Sequence, residues 1–244
     1  MPNRGEAHIG TSGWHYDHWQ GPFYPDDLPA ENWLSYYTDR YETVEVNNAF
    51  YQLPEPETLR QWRAGTPENF TFSVKASRYI THRKKLKDPD EPVKGFLERV
   101  DLLQEKLGPI LFQLPPHWNY DGERLQSFLG ILPTGYRYTF EFRDPSWFNE
   151  QAYEALAKHN AAFCMYHLAG RLSPKEITTD WVYVRLHGPD GAYKGKYGKE
   201  ELAGWAGAFS TWLDQGKTVY CYFDNDQRGY AVQNASELRA MMEG

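Results

Sequence analysis

Trp181-Val182-Tyr183-Val184-Arg185-Leu186-His187 sets apolar Val182, Val184 and Leu186 against Tyr183, Arg185 and His187. Successive side chains on a strand point to opposite faces, so this run reads as a strand with one apolar and one polar face. The same parity runs through Thr43-Val44-Glu45-Val46-Asn47, through Phe70-Thr71-Phe72-Ser73-Val74-Lys75, and through Thr139-Phe140-Glu141-Phe142-Arg143. Four more β-branched or aromatic runs bring the predicted strands to 8–11, 43–47, 70–75, 110–113, 136–143, 162–166, 181–187 and 218–224. Helical patterns separate them at 32–40, 56–64, 93–107, 122–132, 150–159, 198–215 and 234–242, with Asp121 and Asn149 as N-caps. Only a weak, short helix is expected in 167–180, so the pattern is irregular around the sixth helix.

Alternating strands and helices imply a parallel sheet, and eight strands imply closure. The predicted fold is a single α/β domain over 1–244, a TIM-type (β/α)₈ barrel; such barrels run to ~250 residues. One face of each strand must meet the helices, so the polar set lines the interior. Barrel interiors are usually filled by branched aliphatics, and four strands departing together point to a working, polar interior near the C-terminal mouth. The last inward residues are Asn47, Lys75, Arg143 and His187, with Glu45, Glu141 and Arg185 a layer below. Gln113 closes the fourth strand, and the last presents Tyr220, Tyr222 and Asp224 inward, with Asp224-Asn225-Asp226 as rim.

Composition narrows the function classes. A net charge of −7 argues against general coating of nucleic acid, and 41% hydrophobic content is ordinary for a globular domain. Cys164 and Cys221 sit in apolar runs and read as buried structural thiols. Met1-Pro2-Asn3-Arg4-Gly5-Glu6 has no apolar signal core, and no run approaches the ~18 apolar residues of a membrane span. A cytoplasmic protein with no membrane segment is expected. One stretch opposes the acidic balance: Lys75, Arg78, His82, Arg83, Lys84, Lys85 and Lys87 follow the third strand, where barrel loops form the active-site mouth. It reads as a basic lid over an anionic ligand or as a solvated charge run.

Glu45, Glu141, Asp224 and Asp226 allow three readings: pairing with Arg143 and Arg185, general acid–base work, or joining His187 around a divalent metal. His15 and His18 complete no zinc motif. Trp14, Trp19, Tyr24, Tyr51, Trp118 and Trp147 suit stacking on sugars or bases, or core packing. The fourth and seventh strands end in Gln113 and Arg185/His187 rather than carboxylates, which counts against a glycosidase. No phosphate loop or dinucleotide fingerprint is present, Ser12 lacks a base, and no cofactor is evident.

Gly10-Thr11-Ser12-Gly13-Trp14, Phe23-Tyr24-Pro25, Val44-Glu45-Val46-Asn47, Leu111-Phe112-Gln113-Leu114-Pro115-Pro116, Glu141-Phe142-Arg143, Tyr183-Val184-Arg185, His187-Gly188 and Tyr222-Phe223-Asp224-Asn225-Asp226 resemble the YecE-like family, domain of unknown function 72. The resemblance spans nearly the whole chain. It implies a (β/α)₈-type barrel and supplies no reaction. Asp144 stands where the family usually has His, and Asp224 where it usually has Asn.

The expectation is an enzyme, a hydrolase or transferase, that binds a phosphate-bearing ligand: a nucleotide, sugar phosphate or nucleic-acid fragment. Glu45, Glu141, His187 and Asp224 would handle protons. Lys75, Arg143 and Arg185 would hold negative charge, Asn47, Gln113 and Asn225 would orient the ligand, and Trp14, Tyr24, Tyr183 and Asp226 complete the binding set. The alternatives are a non-catalytic nucleotide or nucleic-acid binding module and a divalent-metal-dependent hydrolase or isomerase.

Overall fold

A computed structural model describes residues 4–243; Met1, Pro2 and Asn3 of the N-terminal stretch lie outside the described residues. Strands form at all eight predicted places: β1 Ala7–Ser12, β2 Thr43–Val46, β3 Thr71–Lys75, β4 Leu107–Gln113, β5 Tyr138–Glu141, β6 Ala161–Leu168, β8 Trp181–Leu186 and β9 Thr218–Phe223. A two-residue strand, β7 Arg171–Leu172, is added. The sheet order is β5-β4-β3-β2-β1-β9-β8-β6-β7, and β5 also pairs with β6, which closes eight strands into a parallel TIM-type barrel. The α-helices are α1 Trp33–Thr38, α2 Pro56–Ala64, α3 Asp90–Val100, α4 Gly122–Ile131, α5 Glu150–Lys158, α6 Lys199–Asp214 and α7 Tyr230–Glu243. None among the described residues is long and apolar enough to cross a membrane.

The helix expected in 167–180 does not form, and local backbone geometry explains why. Ala169 and Gly170 adopt φ of +51° and +73°, and two successive positive-φ residues make the tight turn of a two-residue hairpin. The chain therefore folds back at once, pairing His167 with Leu172 and Leu168 with Arg171 antiparallel.

Contacts group the chain into two compact units. The first comprises the described residues up to Glu45, with Met165–Ser173 and those from Asp180 on; the second comprises Val46–Cys164 and Pro174–Thr179. Ring contacts sort the strand faces within each. In the second unit, Phe72 stacks on Trp62 of α2, Phe112 and Phe140 meet Phe128 of α4, and Phe163 meets Tyr153 of α5. Ser73, Lys75, Gln113, Thr139, Glu141 and Cys164 therefore point away from the helices. In the first unit, the Thr11 hydroxyl bonds the phenol of Tyr37 on α1, so Ser12 faces the interior. Below it Tyr183 packs against Tyr220 and Tyr222, and Tyr222 bonds Thr43 at 2.7 Å.

Gly13 is needed where β1 exits. Its φ is +89°, and a Cβ there would meet the Tyr16 phenol oxygen at 2.7 Å. That phenol donates to the Ser12 carbonyl at 2.6 Å and pins the turn.

Candidate functional site

Four neighbouring strand ends of the first unit converge on Arg185. Register sets Ser12 of β1 beside Glu45 of β2, and Arg185 of β8 beside Tyr222 of β9, which places Asp224 next to His187. Arg185 and Glu45 are fully buried and Asp224 nearly so. The guanidinium donates to Glu45 Oε1 through Nε at 3.1 Å and Nη2 at 2.8 Å, and to Asp224 Oδ2 through Nη2 at 3.0 Å. Tyr183 donates to Glu45 Oε2 at 2.7 Å, and the Ser12 hydroxyl donates to Oε1 while accepting from Arg185 Nη2 at 3.3 Å. Burial, and after it the charge of Glu45, hold the Tyr183 phenol well above its ordinary range, so it remains a donor.

His187 completes this network. Its Nδ1 lies 2.9 Å from Asp224 Oδ2, and its Nε2 lies 3.3 Å from Arg185 Nη1. The guanidinium can only donate, so at that contact Nε2 is the acceptor, and Nδ1 faces the Asp224 carboxylate as the donor. Both ring nitrogens are thus engaged within the cluster. Two buried carboxylates share one guanidinium, and removing the cation would strand both charges.

The rim of the same unit is more open. A groove of about 690 Å³ is lined by His18, Gln20, Pro22, Tyr193, Lys194, Asp226 and Arg228, a volume within the small-ligand range. His18 Nε2 donates to the Asp226 carbonyl at 2.9 Å and stands 3.3 Å from its carboxylate. Burial and the neighbouring Asp224 charge raise the Asp226 carboxyl above its ordinary range, and His18 pulls it back. Asn225 is engaged through its amide nitrogen. Its Nδ2 donates to the Gly195 carbonyl at 2.8 Å and to Asn234 Oδ1 at 3.0 Å, tying the loop after β8 to α7. Tyr24 is fully buried, stacked 4.8 Å from Trp33, and its hydroxyl donates to the carbonyl of Trp14, which is itself buried.

The second unit carries a different constellation. Glu141 ends β5, fully buried, and accepts from Arg143 Nε and from the Cys164 thiol at 3.7 Å. Lys75 ends β3, with Nζ 4.2 Å from the centroid of the Phe50 ring; the same ring takes His82 edge-on at 5.0 Å. His82 belongs to a π-helical turn, Tyr79–Arg83, anchored by buried Ile80 and Thr81, while Arg78, Arg83, Lys85 and Lys87 of the basic stretch are exposed. Burial first, then the charges of Lys75, Arg78 and Arg143, push the His82 imidazole down to about 4, against an upward pull from Glu141. Gln113 ends β4 beside Glu141 in register, and Asn47 precedes the turn Asn48–Phe50 without a side-chain capping bond. Asp144 accepts from the Ser146 amide at 3.0 Å and its hydroxyl at 2.7 Å, which caps the turn Pro145–Trp147.

The structure thus brings together Glu45, Tyr183, Arg185, His187 and Asp224 in one unit, and Glu141 with Arg143, and Lys75 with His82, in the other. It places Tyr24 against Trp33 and ties Asn225 to Gly195 and Asn234. Sequence reasoning missed Ser12, His18 and Cys164 as members of these sites. Parity could have shown that Ser12 and Cys164 face inward; His18 sits in an irregular turn with no periodic signal. Among the described residues no three His, Cys, Asp or Glu side chains converge to hold a metal ion.

The profile described as "Protein of unknown function DUF72" matches residues 8–244. The chain belongs to the DUF72 family. A UPF0759 protein of Bacillus subtilis, YunF, is 26% identical, with 97% of this chain and 94% of that protein aligned. The crystal structure of a DUF72 family protein from Thermotoga maritima superposes with a TM-score of 0.89 at 30% identity, covering 98% of this chain and all of that one. A D-psicose 3-epimerase from Clostridium cellulolyticum, 11% identical, superposes with a TM-score of 0.56 over 97% of each chain and shares the fold alone.

Proposed function

We propose that this DUF72 protein binds a phosphate-bearing ligand at the Lys75–Arg143 cluster and acts on it as a hydrolase or transferase. The observation that supports this reading is that Lys75 and His82 share the Phe50 ring, at 4.2 and 5.0 Å, where burial first and then the charges of Lys75, Arg78 and Arg143 lower the imidazole to about 4. Cations that close in a partly buried place are poised to take up anionic charge, Arg through a bidentate fork and Lys as a point charge. Lys75 and Glu141 end strands β3 and β5, the ends at which barrel enzymes build their sites. Arg185 meets two buried carboxylates and Arg143 meets one, Glu141; we assign Arg185 to holding the first unit's interior. Glu141 is the group we assign to proton transfer, since it lies against Arg143 and Cys164.

Calorimetric titration with inorganic phosphate tests the proposal. Lys75→Met and Arg143→Leu should each weaken binding about tenfold or more, because a charge-assisted contact contributes about 1.5–3 kcal/mol. Wild-type affinity in both variants would place the anion elsewhere.

A further inference from the structure

Among the described residues of the second unit, Asn47 Oδ1, Gln113 Oε1 and the Tyr153 hydroxyl are buried without a hydrogen bond to the protein, and the first two lie at strand ends. Gln113 is only 9% exposed. Buried carbonyl oxygens in folded proteins nearly always find a donor, and an orphan reduces stability, so two of them at strand ends call for an explanation. Both are tied to Lys75. Asn47 precedes the turn that carries Phe50, the ring under the Lys75 ammonium, and its backbone carbonyl accepts from the Phe50 amide at 3.1 Å. Gln113 lies on β4, which pairs with β3 at Lys75 and Leu111, two residues before Gln113. The acceptors therefore stand at the ends of the two strands that neighbour the one carrying Lys75.

We infer that the ligand is a phosphorylated polyol of the sugar phosphate class, whose hydroxyls donate to Asn47 and Gln113 while its phosphate meets Lys75 and Arg143. This inference rests on the anion reading above. Spacing separates the candidates. β2, which leads into Asn47, and β4 stand on either side of β3, and strands are spaced ~4.8 Å apart. The donors must therefore be spread along the ligand, not gathered on one group. A nucleobase presents its N–H donors along one edge, whereas a sugar carries a hydroxyl on nearly every carbon. Inorganic phosphate, largely ionised at neutral pH, has few protons to offer.

The test is calorimetric titration at pH 7.5 with inorganic phosphate, ribose 5-phosphate, glucose 6-phosphate and AMP. The expected result is that at least one sugar phosphate binds about tenfold or more tighter than inorganic phosphate, and that AMP is no tighter than ribose 5-phosphate. In Asn47→Leu and Gln113→Met that ratio should fall towards one. The melting temperature of the unliganded variants should equal or exceed the wild-type value, because each change replaces an orphaned carbonyl by an apolar group of similar size. Equal binding of inorganic and sugar phosphates would overturn the inference and leave the anion reading standing. Tighter binding of AMP than of ribose 5-phosphate would overturn it in favour of a nucleotide. Failure of every probe to bind would remove the anion reading and this inference with it. Variants that melt lower or do not fold would show that the two amides serve the fold, and that result also overturns it.

Discussion

Arg185 and His82 mark opposite uses of charge in this protein. Arg185 stands between Glu45 and Asp224 with no exposure to water. Arg185→Ala should cost about 3–5 kcal/mol, since it leaves buried carboxylates without their counter-charge; urea unfolding measures this, and a loss below about 1 kcal/mol would mean that the carboxylates are neutralised some other way. His82 is held neutral, with its imidazole at about 4 in the folded state against an ordinary 6.5. Above pH 6.5 both folded and unfolded chains are neutral at this residue, and its contribution is fully present. As pH falls from 6.5 towards 4 the unfolded chain takes up the proton first, so stability drops across that window and the loss is complete below it. The melting temperature of wild type should fall more steeply between pH 6.5 and 4 than that of His82→Gln. Phosphate bound to Lys75 and Arg143 would oppose their charge, so an NMR titration should find the His82 imidazole moved upward when phosphate is present. A value indifferent to phosphate would count against the proposed site.

At the scale of elements, the signals that worked were short-ranged. Asp121 accepts from the Arg124 amide at 3.0 Å and Asn149 from the Ala152 amide at 2.9 Å, so both N-caps are where a short polar side chain before a helical pattern puts them. Strand parity held because the period of two is a property of the backbone. The hairpin between β6 and β7 was illegible because Ala169 is a poor residue for a φ of +51°; pairing of the flanking residues holds it there. Ala169→Asn would create the Asn-Gly pair that such a turn favours, and should raise stability by about 0.5–1 kcal/mol in denaturant unfolding. A decrease would show that the methyl group, not the turn, matters at this position. Nor was the early start of α7 at Tyr230 readable: Arg228 and Gly229 have φ of +56° and +71°, and the helix begins directly after them.

For the whole molecule the net charge is −7 while the basic stretch stays local. A protein that coats nucleic acid neutralises many phosphates, and its affinity falls by about 10³–10⁵ between 50 and 200 mM salt. A single phosphate held by two or three cations in a partly buried place should lose far less, less than about tenfold over the same range. Binding of phosphate and of a short single-stranded oligonucleotide at both salt concentrations distinguishes these cases. Steep salt dependence with tight oligonucleotide binding would favour the nucleic-acid alternative.

The sequence by itself determined the eight strands, their parity, and therefore that Glu45, Lys75, Glu141, Arg185, His187 and Asp224 are interior residues. Each of these follows from alternation within five to seven neighbouring positions. Only the tertiary structure decided the partners. Arg185 meets Glu45 across 140 positions and Ser12 meets Glu45 across 33, distances over which no local pattern carries information. Register between strands settles which carboxylate faces which guanidinium. It also settles that Arg185 is committed to two acids.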